Sequence, residues 1–144
     1  MKGNDVMLAE WLEDLSTGNE LIDSQKKELF QKINDLLAAC RERNARDEIG
    51  NFLQFLKTYV TFHLLDEESF QLDHCYPFYK EHRDEHDAFI QKLIVVEEQF
   101  AREGGTACVI VDAGRLALDW VVEHVYRSDK LVAEFVCKFV GGFD

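Results

Sequence analysis

Proline is nearly absent: one residue in 144, so almost nothing in the chain forces a helix to stop. Long apolar runs are missing too. No stretch reaches the roughly 18 apolar residues that a membrane-crossing helix needs, so no membrane partner is expected. Cysteine is sparse and scattered, at Cys40, Cys75, Cys108 and Cys137. No two of them have the spacing of a zinc knuckle or a redox motif. They are expected to be free thiols, buried or half-buried, in a reducing compartment. Positive charge is in deficit, with 16 Lys and Arg against 28 Asp and Glu and a net charge of −12. That balance disfavours nucleic acid and anionic membrane as partners. The first fifteen residues carry Asp5, Glu10, Glu13 and Asp14, where a signal peptide would have a basic start and an apolar run. A cytoplasmic protein is therefore expected. No strand-like alternation, internal repeat or low-complexity tract is found.

What the chain does have is helical periodicity. Apolar residues make up 47% of it, eleven of them Phe, enough for one core in a chain of single-domain length. Residues 1–19 lack a clear period and read as an N-terminal arm anchored by Trp11. Helical runs follow at about 20–43 and 47–72, separated by a short polar break. Asp73-His-Cys-Tyr-Pro77 interrupts the pattern, and Pro77 suits the first turn of a third run that extends to about Glu103. Gly104-Gly105 ends that run, and Thr106 is placed to cap a fourth. The fourth run reaches about Arg127, and a shorter fifth segment continues to Val140. Long amphipathic helices joined by short breaks must neighbour one another antiparallel. The expectation is one all-α domain over residues 1–144: an arm (1–19), an up-down-up-down four-helix bundle (20–127) and a C-terminal segment with a short helix (128–144).

The chemistry shows where polar residues interrupt the apolar faces, at about 100° of turn per residue. In the second run Phe52, Leu56, Tyr59, His63, Glu67 and Phe70 share a face. In the third, His82, His86, Phe89, Leu93, Val96 and Phe100 do. In the fourth, Ile110, Ala113, Ala117, Trp120 and His124 line up. Four imidazoles and a carboxylate therefore point at one core, and buried polar groups need partners. A transition metal satisfies them together, and imidazole with carboxylate suits iron, zinc or manganese. No thiolate falls on these faces, which argues against an iron–sulfur cluster. Neither His-Glu-x-x-His nor Glu-x-x-His occurs, which sets aside a zinc protease and a ferritin-like centre. His74 lies in the break and is expected in solvent. Glu85 and Glu123 neighbour the histidines but point away from these faces, as outer partners at most. Asp66 and Glu68 are read as solvated.

The ordered set resembles the bacterial haemerythrins over nearly the whole chain. It comprises Trp11 in the arm, Leu21-Ile-Asp-Ser-Gln-Lys-Lys-Glu-Leu-Phe30, Tyr59-Val-Thr-Phe-His-Leu-Leu-Asp-Glu-Glu68, Tyr76-Pro-Phe-Tyr-Lys-Glu-His-Arg-Asp-Glu-His-Asp-Ala-Phe89 and Trp120-Val-Val-Glu-His-Val-Tyr-Arg-Ser-Asp-Lys130. The resemblance implies a non-haem di-iron centre. His82, His86 and His124 would be terminal ligands of one iron, Glu67 and Asp129 would bridge, and His63 would serve the second iron. The remaining histidine of the second iron is replaced here by Lys26. Asp129 rests on the resemblance alone. It lies about 140° from His124 on an ideal helix and reaches the core only if the helix ends or bulges near Ser128, as a π-type bulge would allow.

Lys26 shares a stripe with Ile22, Phe30, Ile33 and Leu37 and so points at the core or its rim. Three arrangements are open. The side chain reaches for the bundle end and leaves water in its place, it stays inside as an ammonium paired with Glu67 or Asp129, or it ligates as a neutral amine. They are preferred in that order. Two irons are expected from the family, and one where Lys26 displaces the other. The resemblance implies a soluble binder of dioxygen or another small diatomic ligand, for storage, delivery or sensing. With no dedicated acid–base pair in view, a binding protein comes ahead of an enzyme. Peroxide or nitric oxide chemistry at the same iron, or a metal-poor interaction domain, are the alternatives.

Overall fold

The computed structural model describes residues 9–140. The ends of the expected arm and C-terminal segment, residues 1–8 and 141–144, lie outside the described residues. Four long helical elements pack against one another: α1 (Glu20–Arg41), α2 (Ala45–Asp73), α3 (Tyr79–Glu103) and α4 (Ala107–Trp120). Each packs against the next in chain order, and α4 also meets α1 and α2, closing the bundle. The links, residues 42–44, 74–78 and 104–106, are too short to cross the bundle, so neighbours run antiparallel.

Local chemistry sets the ends. The Asn19 side chain accepts from the Ile22 N–H at 3.0 Å and starts α1. Thr106 does the same for Val109 and starts α4. The link at Gly104 uses a left-handed φ of 73°, which glycine adopts without a Cβ penalty. Pro77 lies before α3 rather than in its first turn, because the helix begins at Tyr79.

The expected stop near Arg127 is not there. The chain continues from α4 through a π-helical stretch (Val121–Asp129), α5 (Lys130–Phe135) and a second π-helical stretch (Val136–Val140). The backbone at Val121, Lys130 and Val136 stays right-handed helical. With no proline or glycine there to break it, the helix changes its winding instead of ending.

The arm is tied down. Asn34 exchanges two 2.9 Å hydrogen bonds with the Ala9 backbone, and the Tyr126 hydroxyl donates to the Glu10 carbonyl at 2.7 Å. Trp11 packs against Phe30 with Lys27 over its ring. The four cysteines are free, as expected, but exposed rather than buried. Each lies at a helix end or on an outer face, where a small thiol gains little by burial.

The interior divides in two. A large apolar cluster includes Leu29, Phe30, Leu56, Phe89, Trp120 and Val121. A smaller one joins Ile22, Phe70, Tyr76, Val132 and Val136. Along each helix the polar core residues fall between these layers: Lys26 between Ile22 and Leu29, Glu67 between Leu64 and Phe70, His82 and His86 between Tyr76 and Phe89. Leu56 is fully enclosed in the large layer. Leu56→Ala is therefore expected to cost about 2–5 kcal/mol, read as a lower denaturant midpoint with an unchanged slope.

Candidate metal centre

Five residues from α2, α3 and the first π-helical stretch converge between the apolar layers. Glu67, His82, His86, His124 and Asp129 each place one ligating atom within 4.8 Å of all the others, and all five are buried. The π-helical winding is what admits Asp129. Its i→i+5 hydrogen bonding brings residues five apart nearly into line, so His124 and Asp129 share a face that an α-helix would deny them. His124 Nε2 and Asp129 Oδ1 are 2.9 Å apart.

The two carboxylates are each used on both sides. Glu67 Oε1 lies 3.0 Å from His82 Nε2 and 3.1 Å from His86 Nε2, while Oε2 accepts from Lys26 Nζ at 2.9 Å. Asp129 Oδ1 faces His82 at 3.0 Å and His124, while Oδ2 lies 3.2 Å from Lys26 Nζ. Lys26 is fully buried. The arrangement preferred from sequence, a side chain reaching outward past a water, is thus overturned. Two enclosed carboxylates hold the ammonium inside more strongly than the bundle end attracts it.

The histidines are oriented from behind. His86 Nδ1 donates to Glu68 at 2.8 Å, His124 Nδ1 to Glu85 at 2.6 Å, and His63 Nδ1 to the Gln25 amide oxygen at 2.7 Å. Ser128 Oγ donates to the same Glu85 oxygen, and Gln25 in turn donates to Asp66. A ring that gives its Nδ1 proton outward presents an Nε2 lone pair inward. Trp120 stacks on His124 at 3.8 Å and 9°. Tyr59 stacks on His63 and accepts from the Trp120 indole N–H. Glu85, Phe89, Trp120 and His124 line a groove of about 410 Å³ between α3 and α4.

Several of these buried atoms are close without being hydrogen-bonded. His86 Nε2, His124 Nε2 and both Asp129 oxygens lack a hydrogen-bond partner despite neighbours at 2.9–3.2 Å. One atom of each of these residues belongs to the five-atom group within 4.8 Å. That is the geometry of donors around a cation, and imidazole with carboxylate fits a transition metal.

The electrostatics follow from the enclosure. Burial pushes Glu67 up, but the Lys26 ammonium above all, with His82 and His86 beside it, holds it well below the usual carboxylate range. Asp129 is also held low: burial and Glu67 act against ionisation, and Lys26 and His124 outweigh them. Lys26 is raised, because the two carboxylates overcome its burial. His82 is raised to about 10, its burial overcome by Asp129 and Glu67. His63 is lowered to about 4 by burial above all.

Of the residues singled out from sequence, Glu67, His82, His86, His124 and Asp129 are brought together, with Lys26 against them. His63 is buried nearby, but its Nε2 stands outside the five-atom group and is unpartnered. His74 is half-buried rather than in solvent, with Nδ1 bonded to the Phe70 carbonyl. Glu68 and Asp66 are half-buried partners, not solvated charges. Glu85 is an outer partner, and Glu123 is exposed. Sequence reasoning missed Gln25 and Gln71. Gln71 is enclosed with neither amide atom partnered; its position one turn after Glu67 on the same face was the available signal.

The chain matches the "Hemerythrin HHE cation binding domain" family over residues 17–136. It belongs to the haemerythrin family. Among its relatives are proteins named "Bacteriohemerythrin". One from Methylococcus capsulatus is 31% identical over 82% of this chain and 88% of the relative. Another from Pseudomonas paraeruginosa is 29% identical over 83% and 75%. A third, from Clostridium acetobutylicum, is 25% identical over 83% and 95%. The haemerythrin resemblance read from the sequence is thereby established, and so is its helical bundle. No helix among the described residues is long and apolar enough to cross a membrane.

In the metal-free protein His82 Nε2 lies 3.0 Å from both Glu67 and Asp129, which favours its protonated form. Its folded-state value of about 10 lies above the ordinary value of about 6.5, so the folded state binds more protons between those limits. The stabilisation is complete below about pH 6.5 and is lost as pH rises through about 10. The thermal midpoint measured in chelator should fall over that window, and His82→Gln should flatten the fall.

Proposed function

We propose that this haemerythrin-family protein binds iron with His82, His86, His124, Glu67 and Asp129 and presents it to dioxygen or another small diatomic ligand. The observation that carries the reading is the convergence of five enclosed imidazole and carboxylate donors within 4.8 Å, those of His86, His124 and Asp129 without a hydrogen-bond partner. Iron bound there would supply a redox-active position for a small ligand. The protein's own residues do the rest. Glu68 and Glu85 fix the ring orientation of His86 and His124 through Nδ1. Trp120 and Tyr59 wall the centre, and the apolar layers above and below limit water. The groove ending at His124 offers a route for a small molecule from the surface.

Binding is favoured over catalysis, since the buried donors form one enclosed ligand set and no dedicated acid–base pair among the described residues stands apart from it. The four free, exposed thiols fit a reducing compartment, and the reading therefore places the protein in the cytoplasm as a single domain.

Protein purified from iron-replete cells should carry iron, and His86→Ala or His124→Ala should lose most of it while remaining helical by circular dichroism. Wild-type protein that takes up no iron even under anaerobic ferrous reconstitution would rule the reading out. Glu85→Gln and Glu68→Gln leave every inner atom in place. Each should weaken metal affinity by about 10–100-fold, measured by chelator competition.

A further inference from the structure

We propose that the Lys26 ammonium is a built-in second cation, so that the centre holds one metal per chain rather than two. The inference rests on the iron-binding reading above and concerns how many ions that centre admits. Glu67 and Asp129 each divide their two oxygens between different neighbours. Oε1 of Glu67 and Oδ1 of Asp129 face the imidazoles of His82, His86 and His124. The outer oxygens, Oε2 and Oδ2, lie 2.9 and 3.2 Å from one atom, Lys26 Nζ. Nζ thus sits where a second ion would have to sit to be bridged by both carboxylates.

Two further features agree. The Lys26 side chain is wholly enclosed, between Ile22 and Leu29 on a helix fixed at its N-terminus, so it cannot swing aside without opening the bundle. His63, the remaining imidazole on that side, is turned by Gln25 and left with an unpartnered Nε2. Its Nε2 falls outside the five-atom group. A second metal would need Nζ displaced and would then find one imidazole where the first finds three.

The ammonium also enters the charge balance. Two enclosed carboxylates need compensation; one ammonium with one dication already leaves the centre in positive excess, and a second dication beside the ammonium would enlarge that excess. A functional consequence follows from electron count. One ferrous ion gives up one electron on becoming ferric, so the two-electron reduction of dioxygen within a single chain is not available to it. Ligands that bind with no electron transfer, or with one, suit it better.

The test compares wild-type protein with Lys26→His after anaerobic reconstitution with ferrous iron, reading iron per chain by elemental analysis. One iron in the wild type and two in K26H is the expected result. Two in the wild type would overturn the proposal, and so would one in both, because Lys26 would not then be what excludes the second ion. No iron in either would sink the iron-binding reading along with it. A measurement on the wild type alone guards against misfolding of the variant. On titration with zinc, calorimetry should show one site per chain. The slowly exchanging Lys26 ammonium should keep its nitrogen NMR signal at saturation. Loss of that signal on loading, or a second equivalent of zinc bound, would count against the proposal.

Discussion

Two carboxylates shut away from water, Glu67 and Asp129, are the constraint around which this bundle is organised. Neither has measurable exposure, and a pair of like charges so enclosed is untenable without cations beside it. Every polar residue at this level answers that demand. Lys26 takes the outer oxygens, and the histidines of α3 and the first π-helical stretch face the inner ones. Apolar layers on both sides keep the dielectric low, which strengthens each of these attractions and makes the loss of any one partner costly.

Precision in the centre comes from outside it. His86, His124 and His63 are each turned by the hydrogen bond that Nδ1 donates to Glu68, Glu85 or Gln25 respectively. Stacking against Trp120 and Tyr59 then fixes the ring planes. The same outward bonds commit the inward nitrogens to act as acceptors. Protonation and metal binding therefore compete for one set of lone pairs, and His82 lies between both carboxylates.

Much of this was legible in the linear order of residues. Four helices and their turns follow from apolar spacing, from Gly104-Gly105 and from Thr106. The histidines announced themselves by interrupting apolar stripes that have no other reason for a polar residue. Lys26 was conspicuous on the same ground. Less visible was anything that depends on partners from another helix. Glu68 looks like part of a solvated acidic run until α3 is laid beside α2 and His86 reaches it. Gln25 looks like a surface amide until His63 faces it. The exposed cysteines were misjudged because residue type carries only an average tendency to burial, whereas each thiol's position on its helix decides.

Sequence alone determined the fold class, the family and the candidate donors Glu67, His82, His86 and His124, because helical periodicity and residue chemistry are local properties that survive without neighbours. Tertiary structure decided the rest. It set whether the helix after Trp120 stops or rewinds, and so whether Asp129 enters the core. It also set whether Lys26 escapes to the rim or stays between two carboxylates. Both are contests between distant groups in a shared low-dielectric space, and no pattern along the chain contains the distances that settle them.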